Sequence, residues 1–199
     1  MARMGRLIRA ASVALAVLAA APACGADRTG GPRGEPQEIV EAAPDRTLRA
    51  GPARFEAGAP DARRTGEIDF ASPRVATGDE ATPYPELNDP RSVVDLVRGA
   101  IAAESYGGAA VRGVSTFRYE AVVNVERAVA ETPPERRPAM QEFARLLGSP
   151  AFYVDLWVDG EGRLRRVQIP RDHTTERPEA RSRVLPQFLT VDFFEFAGE

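Results

Sequence analysis

The sequence contains 199 residues, of which 43% are hydrophobic, and this supports one compact domain once an export segment is removed. All 26 basic residues are arginine, and with 29 acidic residues they give a net charge of −3. Because the charges are interspersed and slightly acidic overall, we expect no nucleic-acid partner. The single cysteine excludes an internal disulfide bond.

The first 23 residues have the pattern of an export signal. Arg3, Arg6 and Arg9 form a positively charged start without acids, and an apolar run from Ala10 to Ala23 follows. This run is shorter than the roughly 20 apolar residues that a permanent membrane-spanning helix needs. A cleaved signal peptide over residues 1–23 is therefore favoured over an uncleaved anchor. Either interpretation takes the rest of the chain out of the cytoplasm.

Cys24 follows directly after Ala21-Pro22-Ala23, where the signal ends. This pattern resembles a lipobox, in which the cysteine is acylated, for example with palmitate, and becomes the mature N-terminus. A lone cysteine at the cleavage point of an exported protein favours this use. We therefore expect Cys24 to be a lipid-attachment site that holds the protein on the extracytoplasmic face of the cell membrane. The alternative is ordinary cleavage after Ala23, which would release a secreted protein.

The mature chain is predicted to divide into a tether and a domain. Residues 24–46 comprise the cysteine and a segment rich in glycine, proline and charge, which predicts a flexible tether. The folded domain is expected over residues 47–199. Between Thr47 and Pro85 we expect two short antiparallel strands, and Glu67–Phe70 is the clearest piece because apolar and acidic residues alternate there.

A helix is predicted to begin at Asp89, as the N-cap, and Pro90, as the first helical residue. Tyr106-Gly107-Gly108 is expected to end it. Its apolar stripe consists of Val93, Leu96, Val97, Ala100 and Ile101. The strongest strand pattern follows, because apolar residues alternate strictly with polar ones through most of the stretch from Phe117 to Glu126.

A second helix is predicted from Thr132-Pro133-Pro134-Glu135, a capping-box spacing, to Gly148 as its C-terminal stop. Its apolar residues are Met140, Phe143, Leu146 and Leu147. Pro138 cannot donate a helical hydrogen bond, so either the first turn is kinked or the regular helix begins only at Pro138.

The last part of the sequence is predicted to form strands. Phe152 to Val158 alternate, and Asp159–Gly162 supply a hairpin turn into a return strand that ends at Pro170. Leu164 has the opposite parity to the later apolar residues of that strand, which predicts a bulge. A charged loop follows, and Phe188–Phe196 form a closing strand.

The sequence offers little catalytic chemistry, and we expect neither an enzyme nor a cofactor. The only histidine, His173, falls in the charged loop between Arg171 and Arg183 without cysteine or histidine neighbours, so no zinc site is expected. A Ser-His-Asp arrangement would have to use the same histidine, and no nucleophile elbow precedes it. Gly107-Gly108 lacks the lysine and strand context of a phosphate loop.

The apolar content of the helices and strands exceeds what their polar faces balance. Such a surplus indicates either an ordinary filled core or a hydrophobic cavity for acyl chains, and both interpretations stay open at this point.

From Glu86 onward the succession of motifs resembles the actinobacterial lipid-binding lipoproteins of the LppX/LprG group, which share a LolA-like fold. The motifs that carry this resemblance are Leu87-Asn88-Asp89-Pro90, Val111-Arg112-Gly113-Val114 with Phe117-Arg118-Tyr119, Pro133-Pro134-Glu135, Val154-Asp155-Leu156-Trp157-Val158-Asp159, and Gly162-Arg163-Leu164-Arg165-Arg166. The resemblance implies an α+β fold, in which a curved antiparallel sheet forms a half-barrel with helices on its concave face. It also implies a hydrophobic cavity that carries a lipid or lipoglycan across the cell envelope. The early strands depart from the pattern, because prolines and glycines interrupt them.

We therefore expect an amphipathic lipid or lipoglycan as the partner, bound through its acyl chains. The candidate lining residues, which the sequence does not separate from ordinary core, are Val97, Ile101, Phe117, Tyr119, Phe143, Leu147, Val154 and Leu156. The alternative is a sensor or interaction module with a filled core, which would bind an envelope protein through exposed Tyr153 or Trp157.

Overall fold

The computed structural model describes residues 31–60, 62–72, 89–170 and 188–199. The helices of these ranges are α1 (Pro36–Arg49), α2 (Pro90–Leu96), α3 (Val125–Glu131) and α4 (Arg137–Leu147), and a 3₁₀ turn, Val97–Gly99, continues α2. The strands are β1 (Ala53–Ala59), β2 (Ala62–Ile68), β3 (Ala100–Val111), β4 (Val114–Asn124), β5 (Ala151–Asp159), β6 (Leu164–Pro170) and β7 (Phe188–Phe194). Among the described helices, none is both long and apolar enough to cross a membrane.

The seven strands form one open antiparallel sheet in the order β2-β1-β7-β6-β5-β4-β3. In a flat sheet β1 and β4 would lie about 19 Å apart, since strands are spaced by about 4.8 Å. Nevertheless Arg112, in the turn between β3 and β4, reaches Glu56 on β1 at 2.8 Å and Asp192 on β7 at 3.2 Å. The sheet is therefore strongly curved, and the predicted α+β class is confirmed.

The helices cover one face of the sheet. α1 contacts β3, β4 and β6, and α3 contacts β4, while α2 and α4 pack against the other helices. Every residue of α2 is buried, because the helix lies inside the helical layer. The helices share a single core with the apolar side chains of the strands, such as Val154, Leu156 and Val158 of β5.

The first predicted helix begins where expected but ends too early for the prediction. Asp89 is the N-cap, and its side chain accepts a hydrogen bond from the backbone N–H of Arg91 at 3.0 Å. The helical turns stop at Gly99, and Ala100–Val111 form β3, so the predicted helix end at Tyr106 is wrong. This Ala- and Gly-rich stretch has little alternation of its own, and its pairing with the strongly alternating β4 decides its structure.

The region around the second predicted helix contains two helices. α4 begins at Arg137, directly before Pro138, which confirms the later of the two predicted starts, and Gly148 ends it in the left-handed conformation at φ 67°. The strand before it ends at Asn124, so the predicted strand residues Val125 and Glu126 belong to α3 instead. α3 was not predicted, although the Asn124 side chain caps it by accepting a hydrogen bond from Arg127 N–H at 2.7 Å.

The other strand predictions are confirmed. β1 and β2 pair as a short antiparallel hairpin, and β5 and β6 form the expected hairpin. The predicted bulge lies where the register shifts, because Trp157 pairs with Arg166 while Val158 pairs with Leu164. Arg165 is the extra residue of the bulge. The closing strand ends at Phe194, two residues before its predicted end.

The predicted tether is wrong from Pro36 onward. Pro36 is the first residue of α1, and the helix buries Ile39, Val40 and Ala43 against the core. Charged and proline residues on the outer side of α1 dilute its mean hydropathy, and this dilution hides the buried stripe in the sequence. The signal, Cys24, His173 and the loop Arg171–Arg183 lie outside the described residues.

Candidate functional site

A cavity of about 450 Å³ opens at one end of the helical layer. It lies between the residues that follow β2, the first turn of α2 and the start of α4. Its lining combines apolar with charged groups, namely Phe70, Ala71, Ser72, Asp89, Arg91, Glu135, Arg136 and Ala139. Its volume is within the range of roughly 300–1,000 Å³ that is typical of small-molecule sites.

The apolar side of the cavity is continuous with the core. Phe70 is buried, and its ring lies 5.6 Å from the ring of Phe193 and 6.4 Å from that of Phe196, between centroids. Both partners belong to the hydrophobic core cluster. A ligand that contacts Phe70 would therefore stand at the margin of the main core.

One charged wall is built around the N-terminus of α2. The guanidinium of Arg91 donates to both carboxylate oxygens of Asp89, at 3.0 Å from Nε and 2.9 Å from Nη2, and to the carbonyl of Ser72 at 2.5 Å. The same Asp89 carboxylate caps the helix. These contacts fix the start of α2 against the residues after β2.

The second charged wall begins with Arg136, directly before α4. Its Nε and Nη2 donate to the two oxygens of Asp95 at 2.7 and 2.9 Å, and Asp95 is only 1% exposed. The hydrogen bond to Asp95 raises the pKa of Arg136, and burial opposes this effect. Arg98 also binds Asp95, at 3.0 Å, and reaches Asp45 of α1 at 2.6 Å. One buried carboxylate thus ties three helices together.

The mouth of the cavity has balanced charge. Arg91 and Arg136 carry positive charge, and Asp89 and Glu135 carry negative charge. Glu135 is largely exposed, and its carboxylate lies 3.8 Å from Arg136. Within the described residues there is no cluster of three or more His, Cys, Asp or Glu side chains suited to a metal ion.

The predicted lining residues lie elsewhere, mostly deep in the core. Val97, Tyr119, Phe143, Leu147, Val154 and Leu156 are buried in one cluster, and Phe117 packs against it while partly exposed. Ile101 is 51% exposed on β3, so it is not an interior residue. None of the eight lines the 450 Å³ cavity. In the sequence, only the Asp89-Pro90-Arg91 cap and the Glu135-Arg136 pair mark the cavity that does exist.

The residues named for a protein partner differ in accessibility. Tyr153 is about half exposed on β5. Trp157 is partly buried between two guanidinium groups, with Arg118 and Arg166 at 5.5 and 5.7 Å from its ring centroid. Of the two, Tyr153 is the more accessible to a partner.

Comparison with known proteins gives similarity in structure but not in sequence. No family model matches the chain, and no curated protein matches it. Its structure is similar to that of LprF from Mycobacterium bovis, at 11% identity and a TM-score of 0.47, with 85% of this chain and 96% of that chain covered. It is also similar to the lipoprotein LppX from Mycobacterium tuberculosis, at 10% identity and a TM-score of 0.44, with 83% and 98% covered. The group that the sequence motifs resemble is thus also found among similar structures.

Proposed function

We propose that this chain is an exported, membrane-anchored lipoprotein that binds or transfers an amphipathic lipid or lipoglycan. The observation that carries the proposal is the two-sided lining of the cavity beside α2. Phe70 and Ala139 offer apolar surface at the margin of the core, and paired charges form the rim. This combination matches a molecule with an acyl chain and a polar headgroup.

The driving force in this proposal is the burial of the acyl chain. Each CH₂ group removed from water contributes roughly 0.8 kcal/mol. A chain longer than the cavity would have to enter between the sheet and the helical layer. Displacement of α2 would then bring it to predicted lining residues such as Val97 and Leu156, both of which are fully buried in the structure.

The polar headgroup in this proposal is neutral overall or zwitterionic. The rim has two guanidinium groups and two carboxylates, and both guanidinium groups already bind aspartate. A strongly anionic headgroup would meet Asp89 and Glu135 as well as the arginines. Hydroxyl-rich or zwitterionic groups can hydrogen-bond with both kinds of side chain.

The ligand proposal is tested by analysing the lipids that co-purify with the full chain from its own host. Ala139→Trp places an indole in the cavity, and we expect it to lower bound lipid severalfold, as measured by extraction and mass spectrometry. Ala130→Trp, on an exposed position of α3, is the matched control and should retain the lipid. A lipid-free protein, or equal lipid in both variants, would contradict the proposal.

The anchor is proposed from the sequence around Cys24. Metabolic labelling with an alkyne fatty acid should mark the wild-type chain, and Cys24→Ser should lose both the label and membrane association. An unlabelled wild-type chain in the culture medium would support secretion instead.

A second candidate function is an envelope sensor or interaction module, and the dense packing of the core favours it. Six of the eight predicted lining residues are buried among their neighbours in one continuous core. For such a module, a fluorescent fatty acid should not bind, whereas Tyr153→Ala should weaken capture of a protein partner.

A further inference from the structure

The two edges of the sheet are built from different residues. β2 forms one edge with seven residues, which include Arg63, Arg64 and Glu67. β3 forms the other with twelve residues, and Glu104 is its only charged side chain. Charged residues and short length are the usual means by which proteins prevent strand addition at an edge. β3 has neither of these protections.

The middle of β3 is open to an incoming strand. Residues 104–108 are all exposed, and Tyr106 is 53% exposed. A Cβ atom built at Gly107 or Gly108 would meet nothing within 4 Å. Register shifts flank this stretch at Ala100/Ala102 and Ser105/Gly108, so Ile101 and Tyr106 project from irregular positions. The backbone of this edge is therefore accessible within the described part of the chain.

The accessible edge is acidic. Glu104 pairs directly with Glu120 of β4, and like charges in this cross-strand arrangement are unfavourable. The hydroxyl of Tyr106 lies 3.5 Å from Glu120, and the charge of Glu120, followed by that of Glu104, raises the pKa of this tyrosine. The Arg118 guanidinium lies over the Tyr106 ring, 5.4 Å from its centroid, and pairs with Asp155 at 2.8 Å. A basic group beside Glu104 would relieve the repulsion.

We propose that β3 accepts an extended segment of a partner protein as an eighth strand, with a basic side chain of that segment next to Glu104. Backbone hydrogen bonds along the edge supply the affinity, and the Glu104–Glu120 pair selects the charge. A second copy of this chain fits less well, because its own β3 would bring another Glu104 to an acidic edge. The inference concerns a surface distant from the lipid cavity in the fold and does not depend on lipid binding.

The test uses synthetic nonapeptides of alternating threonine and valine with a central arginine or a central glutamate. The wild-type chain should bind the arginine peptide about fivefold more tightly, since opposite cross-strand charges contribute roughly 0.2–1 kcal/mol and like charges oppose binding. Glu104→Lys should invert this preference, because it reverses the charge at the edge. The variant also removes the repulsion with Glu120, so we expect it to fold at least as stably.

Two controls separate this edge from other binding modes. Glu67→Lys changes an exposed acid on the opposite edge strand, β2, and should leave the preference for the arginine peptide unchanged. Peptides methylated on alternate backbone nitrogens should not bind. The proposal is overturned if neither peptide binds, if Glu67→Lys inverts the preference, or if sedimentation shows that the wild-type chain dimerises through β3.

Discussion

The two faces of the sheet bury their side chains by different means. The helix-covered face does so with an apolar core, in which Leu156 and its neighbours contact helices. The opposite face, which no described helix covers, carries a row of side chains that neighbour one another in register across five strands: Glu56, Asp192, Arg166, Trp157 and Arg118. Asp192 in this row is only 2% exposed. A carboxylate can thus be buried without a second layer of secondary structure.

Arginine makes this second kind of burial possible. Arg166 donates to both oxygens of Asp192, at 2.6 and 2.8 Å, and also lies over the ring of Trp157. Arg112 binds the same carboxylate and lies 4.1 Å from the ring centroid of Phe194. A planar guanidinium can stack on a ring while it donates hydrogen bonds in its plane, and a lysine ammonium cannot. The lack of lysine in the sequence is consistent with this use.

The largest expected effect compares a buried carboxylate on each side of the sheet. Asp95→Ala should lower the free energy of unfolding by about 4 kcal/mol, because it leaves Arg136 and Arg98 without their shared buried partner. Asp192→Ala should cost only about 2 kcal/mol, since its arginine partners are more exposed and more easily rehydrated. Urea unfolding measures both. Equal losses would show that the two faces do not differ in this respect.

A smaller effect separates two adjacent residues of β5 that point to opposite faces. Leu156→Ala should lower the free energy of unfolding by about 3 kcal/mol, because it leaves a cavity between the sheet and the helices. Trp157→Ala removes a larger side chain but only two guanidinium stacks, each of about 0.5–1 kcal/mol at an exposed site. We therefore expect the tryptophan variant to be the more stable of the two in the same titration. The reverse order would mean that the uncovered face carries the tighter packing.

The smallest effect concerns proton binding on the uncovered face. Burial alone would raise the pKa of Glu56, but hydrogen bonds from Arg63 and Arg112 outweigh it, and the pKa is lowered. A lowered carboxyl pKa in the folded state adds stability above the ordinary range near pH 4, and this stability is lost as the pH falls through that range. Glu56→Gln should flatten the fall in the free energy of unfolding between pH 5 and pH 3. An unchanged slope would contradict this assignment.

The sequence predicted elements whose own side chains alternate or repeat strongly. β4, β5 and β7 follow from alternation, and the bulge at Arg165 follows from the parity of Leu164. β3 could not be predicted, because its conformation depends on pairing with β4. α1 was missed because its buried stripe lies among prolines and charged residues.

The cavity was beyond sequence reasoning for a different reason. Phe70, Arg91 and Arg136 come from three separate segments, and only the tertiary fold brings them together. The predicted lining residues were chosen for apolar periodicity, and periodicity identifies core positions. Val97 and Leu156 are accordingly in the core. Periodicity carries no information about where packing leaves a space.

The early start of packing along the chain limits how far the domain could stand from a bilayer. A Cβ atom on Gly31 would come within 2.4 Å of the Phe117 ring, so the backbone at Gly31 already rests on β4. If Cys24 is the acylated residue, six residues separate it from this contact, and fully extended they span roughly 20 Å. The leash is then too short for free tumbling. The part of the molecule around Phe117 would stay close to the lipid headgroups.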